Sequence, residues 1–156
     1  MFQISALQRN DFEEFFQLGD EQLAARGAKR YVANKTPGFP CRVSLEDAAP
    51  GERVLLIPYA HQPAQSPYRA CGPIFVRESA RTASVPPDTV PALLRSRMLS
   101  VRAYDSRDLM IDADVVDGRE LEGSLVRVLA NERVRYIHLH YAGPGCYACR
   151  VDRAGD

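Results

Sequence analysis

Tyr136-Ile137-His138-Leu139-His140-Tyr141-Ala142-Gly143-Pro144-Gly145-Cys146-Tyr147-Ala148-Cys149-Arg150-Val151-Asp152-Arg153 holds two of the chain's three histidines and two of its four cysteines. Two runs rich in β-formers flank Ala142-Gly143-Pro144-Gly145, where Pro sets φ and either Gly can take φ > 0, so the stretch predicts a hairpin. With those four residues as the loop, antiparallel pairing sets Tyr141 opposite Cys146, His140 opposite Tyr147, Leu139 opposite Ala148 and His138 opposite Cys149. Side chains alternate between sheet faces, so His138, His140, Tyr147 and Cys149 are expected on one face. Ile137, Leu139, Tyr141, Cys146 and Ala148 then share the other, which reads as core.

Outward from this hairpin, residues 119–130 carry Leu121, Leu125, Val128 and Leu129 at helical spacing, behind Asp117 and Glu120 as a capping-box pair. Before that helix, Leu99, Val101 and Ala103 alternate with Ser100, Arg102 and Tyr104. Asp105-Ser106-Arg107-Asp108 can join this strand to another at 109–116 in a second hairpin. Pro91 suits the first turn of a short helix containing Leu93 and Leu94.

The first half of the chain reads less regularly. A strand at 2–6 precedes Phe12, Phe15 and Phe16 at helical spacing, with Asn10 and Glu13 as caps, and a second short helix at 21–26 stops at Gly27. Residues 29–33 have strand character. Cys41, Val43 and Leu45 alternate with Arg42, Ser44 and Glu46, which predicts a strand that buries its thiol, exposes its arginine and pairs with an apolar strand at 53–59. Residues 60–72, with Pro63 and Pro67, read as a long loop that offers His61, Tyr68, Arg69 and Cys71 for chemistry. Pro73 to Glu78 resumes as a strand. The order of elements predicts an α+β fold: a single compact domain over residues 1–156, with a mostly antiparallel β-sheet and two or three short helices packed on it.

Composition bounds the function. With 156 residues and 46% hydrophobic content the chain is ordinary for one domain with one core. Acidic and basic residues balance at 20 each, so no net field steers a polyanion and nucleic acid is not an expected partner. All basic residues but Lys29 and Lys35 are arginine, which supplies planar forks suited to anions. The N-terminal residues show no charged segment followed by an apolar run, and no stretch approaches the ~18 apolar residues of a membrane span. A cytoplasmic location, no membrane and four free thiols are the expectations.

The sequence resembles the small bacterial proteins catalogued as domain of unknown function 1203. The resemblance spans nearly the whole chain. It rests on Pro37-Gly38-Phe39-Pro40-Cys41-Arg42-Val43-Ser44-Leu45, on Ser66-Pro67-Tyr68-Arg69 with Gly72-Pro73-Ile74-Phe75-Val76, on Arg102-Ala103-Tyr104-Asp105, and on Gly145-Cys146-Tyr147 before Val151-Asp152. It implies no activity and transfers no catalytic residue.

Three kinds of site are compatible with these residues. Guanidinium forks with directional Tyr and His donors suit a small anionic ligand, a carboxylate or phosphate, bound where the 60–72 loop meets the last hairpin. The residues for it are Arg42, His61, Tyr68, Arg69, Arg102, His138, His140 and Tyr147, with the histidines becoming cationic as pH falls toward ~6.5. The alternatives are enzymatic: a metal held by His138, His140 and Cys149 with help from His61 or Cys71, or a nucleophilic Cys71 or Cys146. Cys146 and Cys149 fall on opposite faces of a regular strand, so Cys-Tyr-Ala-Cys is not a zinc knuckle, and no cofactor is favoured. No phosphate loop or dinucleotide fingerprint specifies a ligand, and a structural or interaction domain is the remaining reading.

Overall fold

The computed structural model describes residues 1–155. Eight strands form two antiparallel sheets, and four short helices accompany them, so the fold is α+β. The five-stranded sheet runs β1 (Phe2–Ser5), β8 (Tyr147–Arg153), β7 (Tyr136–Tyr141), β5 (Met98–Tyr104), β6 (Met110–Asp117). The three-stranded sheet runs β2 (Lys29–Val32), β3 (Arg53–Gln62), β4 (Ala70–Arg77).

Alternation decides which face of the larger sheet does what. Leu99, Val101, Ala103, Ile137, Leu139, Tyr141 and Val151 join the main core. Helices α3 (Ala92–Arg95) and α4 (Leu121–Leu129) close that face with Leu93, Leu94, Leu121, Leu125 and Val128. Burying side chains of this size stabilises the fold by about 1.5–3 kcal/mol each. The polar residues between them, Ser100, Arg102, His138 and His140, turn to the opposite face, where the smaller sheet lies. A second core joins that sheet, through Leu55, Ile57, Ile74 and Val76, to Phe12 and to Leu23 of α2 (Asp20–Ala25). Phe15 and Phe16 of α1 (Glu13–Phe16) pack against it.

The C-terminal hairpin forms, with one correction. His140 pairs with Tyr147 as expected, but Leu139 pairs with Cys149 and His138 with Arg150, because a bulge at Ala148 inserts one residue into β8. The inserted residue turns Cys149 to the core side, away from the histidines. Gly145 ends the turn at φ 80°, a conformation cheap only for glycine, and its N–H donates to the Tyr141 carbonyl at 2.8 Å.

Two further expectations are revised. Residues 41–46 are a tight turn bracketed by a bridge between Pro40 and Asp47, with Leu45 at φ 52°, so no strand forms there and β3 pairs with β2 and β4 instead. Arg42 is consequently buried at 1% exposure, where alternation placed it in solvent. The 60–72 loop is also shorter, because β3 continues through His61 to Gln62 across an irregular step and β4 begins at Ala70. The polar letters of Ala60-His61-Gln62 hid a strand whose inner face is lined by aromatic and imidazole rings rather than aliphatic side chains. Among the described residues, no helix is long and apolar enough to cross a membrane.

Candidate functional site

The two sheets bring all three histidines together. His138 and His140 are two apart on β7 and so share a face, while His61 reaches them from β3 of the other sheet. One ring nitrogen from each lies within 4.8 Å of the others. Ring centroids are 4.9 Å apart for His61 and His140, 6.4 Å for His61 and His138, and 6.5 Å for His138 and His140.

Aromatic rings wall the cluster. Tyr147 stacks on His61 at 5.7 Å and meets His138 edge-on at 5.3 Å. Tyr104 and Tyr136, stacked on each other at 5.1 Å, both contact the His138 ring. Gln62 donates to the Tyr136 hydroxyl at 2.9 Å, and that hydroxyl donates to Asp108 at 2.7 Å, so the tyrosine is satisfied away from the imidazoles. Tyr104, Tyr136 and Ser100 were missed as site residues, although the alternation through 98–104 already placed Ser100, Arg102 and Tyr104 on one face.

The imidazoles are short of partners. His140 Nδ1 lies 3.0 Å from the Gly145 carbonyl, a geometry that assigns its proton to Nδ1 and leaves Nε2 with a lone pair. His140 Nε2, His138 Nδ1 and His61 Nδ1 are all buried without a hydrogen-bond partner among the described residues. Leaving such groups unpaired costs about 1–3 kcal/mol each. Burial pushes the pKa of His138 down to about 3 and that of His140 to about 4, and that of His61 is lowered by the same cause. Arg102, cross-strand from His138, adds to the effect on all three. The expectation of cationic histidines near pH 6.5 is therefore corrected for His138 and His140, which burial holds neutral there, and burial shifts His61 in the same direction; neutral imidazoles offer lone pairs, not charge.

The other expected residues divide. Arg102 donates Nε to Ser100 Oγ at 3.1 Å and pairs with no carboxylate among the described residues. Tyr68, 38% exposed, touches Tyr104 edge-on at the rim. Arg69 is exposed, and its position is not brought to the imidazoles by any hydrogen bond of its side chain. Arg42 lies behind Tyr147, donating Nε to its carbonyl at 2.7 Å. Of the cysteines, all free, Cys71 is exposed and Cys149 is buried, with its thiol pushed up to about 12.

A two-sheet α+β protein with a largely buried three-histidine cluster between the sheets is the class these features define. The chain belongs to the family described as "Protein of unknown function (DUF1203)", whose model matches residues 38–153 and so includes all three histidines. No curated protein and no solved structure matches the chain.

Proposed function

We propose that this protein binds a divalent transition-metal ion, of the zinc type, through His61, His138 and His140. The observation that carries the reading is the convergence of three imidazoles from two sheets, two of them buried and His61 half-buried, each with a buried ring nitrogen that has no partner among the described residues. Neutral imidazole is a favoured ligand for zinc, copper, iron and nickel. Bonds of ~2.1 Å in a tetrahedral arrangement put ligand nitrogens ~3.4 Å apart, so closing from 4.8 Å asks for modest ring movements. The contact from His140 Nδ1 to the Gly145 carbonyl is the outer support that orients a metal-bound histidine.

Three protein ligands are one fewer than a closed structural site uses, so a position remains for an exogenous group. The ion's charge is uncompensated by three neutral ligands, and Arg102 adds a second positive charge beside it. A small anion suits that position. The anionic ligand read from the sequence thus fits at the ion, with Arg102 assisting, in place of a direct pairing with histidine cations.

Metal content of freshly purified protein, together with cobalt(II) titration followed in the visible spectrum, tests the reading. One equivalent of metal and an intense tetrahedral cobalt band are expected, both lost in His61→Ala and His140→Ala. Substoichiometric metal and no cobalt band in folded wild type overturn it.

A further inference from the structure

A second site lies on the other side of the last turn. A cavity of about 360 Å³ is lined by Arg42, Phe75, Arg97, Met98, Tyr141 and Cys146 among others. None of these is a histidine of the cluster, and the volume falls in the range of small-molecule pockets.

The two arginines in its wall are treated differently. Arg97 is neutralised by Asp47, to which it donates at 2.5 and 3.0 Å. Arg42, 1% exposed, donates to the carbonyls of Tyr147 and Pro40 at 2.7 and 2.6 Å and to Cys146 Sγ at 3.1 Å, and has no carboxylate partner among the described residues. A guanidinium has five N–H groups, so two remain. A buried charge without a counterion is costly, and an anion placed against it removes that cost.

Tyr141 lines the same cavity. It is 3% exposed, and its hydroxyl is buried without a partner among the described residues. Both guanidiniums lie over its ring, with Arg42 Cζ 4.9 Å and Arg97 Cζ 5.3 Å from the centroid. The remaining wall, Phe75, Met98 and Pro144, is apolar.

We infer that this cavity binds a small organic carboxylate with an apolar body, its carboxylate held by the Arg42 guanidinium and the Tyr141 hydroxyl and its body against Phe75 and Met98. Cys146 stands beside the carboxylate and would be covered by the ligand. Phosphate, with more charge and no apolar part, fits the wall less well.

Benzoate and hexanoate, with benzamide and hexanamide as neutral controls, are the probes, read by thermal shift and by the rate of Cys146 alkylation resolved by peptide mapping. The acids are expected to raise the melting temperature and slow alkylation at millimolar concentration, and the amides to do neither. Tyr141→Phe should weaken acid binding about tenfold while leaving the unliganded protein no less stable, since the lost hydroxyl has no partner. Gly143→Trp, at an exposed glycine where a Cβ meets nothing within 4 Å, should block the cavity in a folded protein. In protein stripped of metal, so that no acid can bind at the histidine cluster's ion, His61→Ala should leave binding unchanged. Equal binding of acids and amides, no response to the acids, or acid binding lost in His61→Ala but kept in Gly143→Trp each overturns the assignment.

Discussion

The rings of His61 and His140 meet edge to face, 4.9 Å between centroids and 82° between planes, although one stands on each sheet. The contact therefore reports how the two sheets dock. It also means that anything bound between these rings ties the sheets together. Binding to the folded state alone stabilises by RT ln(1 + [L]/Kd), about 4 kcal/mol at a thousandfold excess over Kd.

Acid should destabilise the protein before its carboxylates are reached. His138 and His140 titrate at about 3 and about 4 in the folded protein, against ~6.5 in the unfolded chain. Between those values the unfolded chain holds protons that the native one does not, so stability is complete above pH ~6.5 and falls as pH drops toward 4 and then 3. Going from pH 7 to pH 5 should cost about 2 kcal/mol per histidine in metal-free protein. Urea denaturation at the two values measures it, and equal midpoints would contradict the burial of neutral rings.

Gly145→Ala should damage both fold and site. Its φ of 80° costs a Cβ-bearing residue about 1–2 kcal/mol, and its carbonyl is the partner of His140 Nδ1. Alanine keeps that carbonyl, but a turn relaxed away from φ 80° moves it off Nδ1, and loss of such an outer-shell contact typically lowers metal affinity 10–100-fold. Cobalt titration should show the weakening, whereas Gly143→Ala, two residues away with open space at its Cβ, should leave it unchanged.

Gly118→Ala should be among the most destabilising small substitutions. A Cβ there would sit 1.9 Å from the Leu94 carbonyl oxygen, backbone that cannot swing aside, while Gly118 N–H donates to the Arg97 carbonyl at 2.8 Å. The cost expected is about 3 kcal/mol or more, seen as a lowered denaturation midpoint. A neutral effect would show that α3 and the turn before α4 are free to part.

Thiol reactivity should rank by environment. Cys71 is exposed and should alkylate fastest in the native protein. Cys149, fully buried with its pKa raised to about 12, should react only on unfolding. Timed alkylation with peptide mapping separates them, and early labelling of Cys149 would mean that β8 opens locally.

Residues 136–153 and 98–117 were legible as hairpins because alternation, turn chemistry and strand formers agree there, and the helix around 121–129 followed from its stripe of Leu and Val. The same local periodicity put His138, His140 and Tyr147 on one face, and it holds. What it could not register is an interruption: the extra residue at Ala148 shifts every later side chain by one, taking Cys149 from the histidines into the core. His61 is the other case. Its strand looked like loop because its polar neighbours break the apolar pattern, and its partners are 77 and 79 positions away, in another sheet. Alternation places Arg42 in solvent for a similar reason, since what buries it is Tyr147 and Cys146, across the chain. Most of the secondary elements and the facing of β7 follow from backbone periodicity within one segment and so can be read from the residues alone; the turn at 41–46 and the end of β3 do not. That three imidazoles meet and that one arginine is buried beside a cavity follows from the docking of two sheets, which depends on contacts between residues that no local pattern relates.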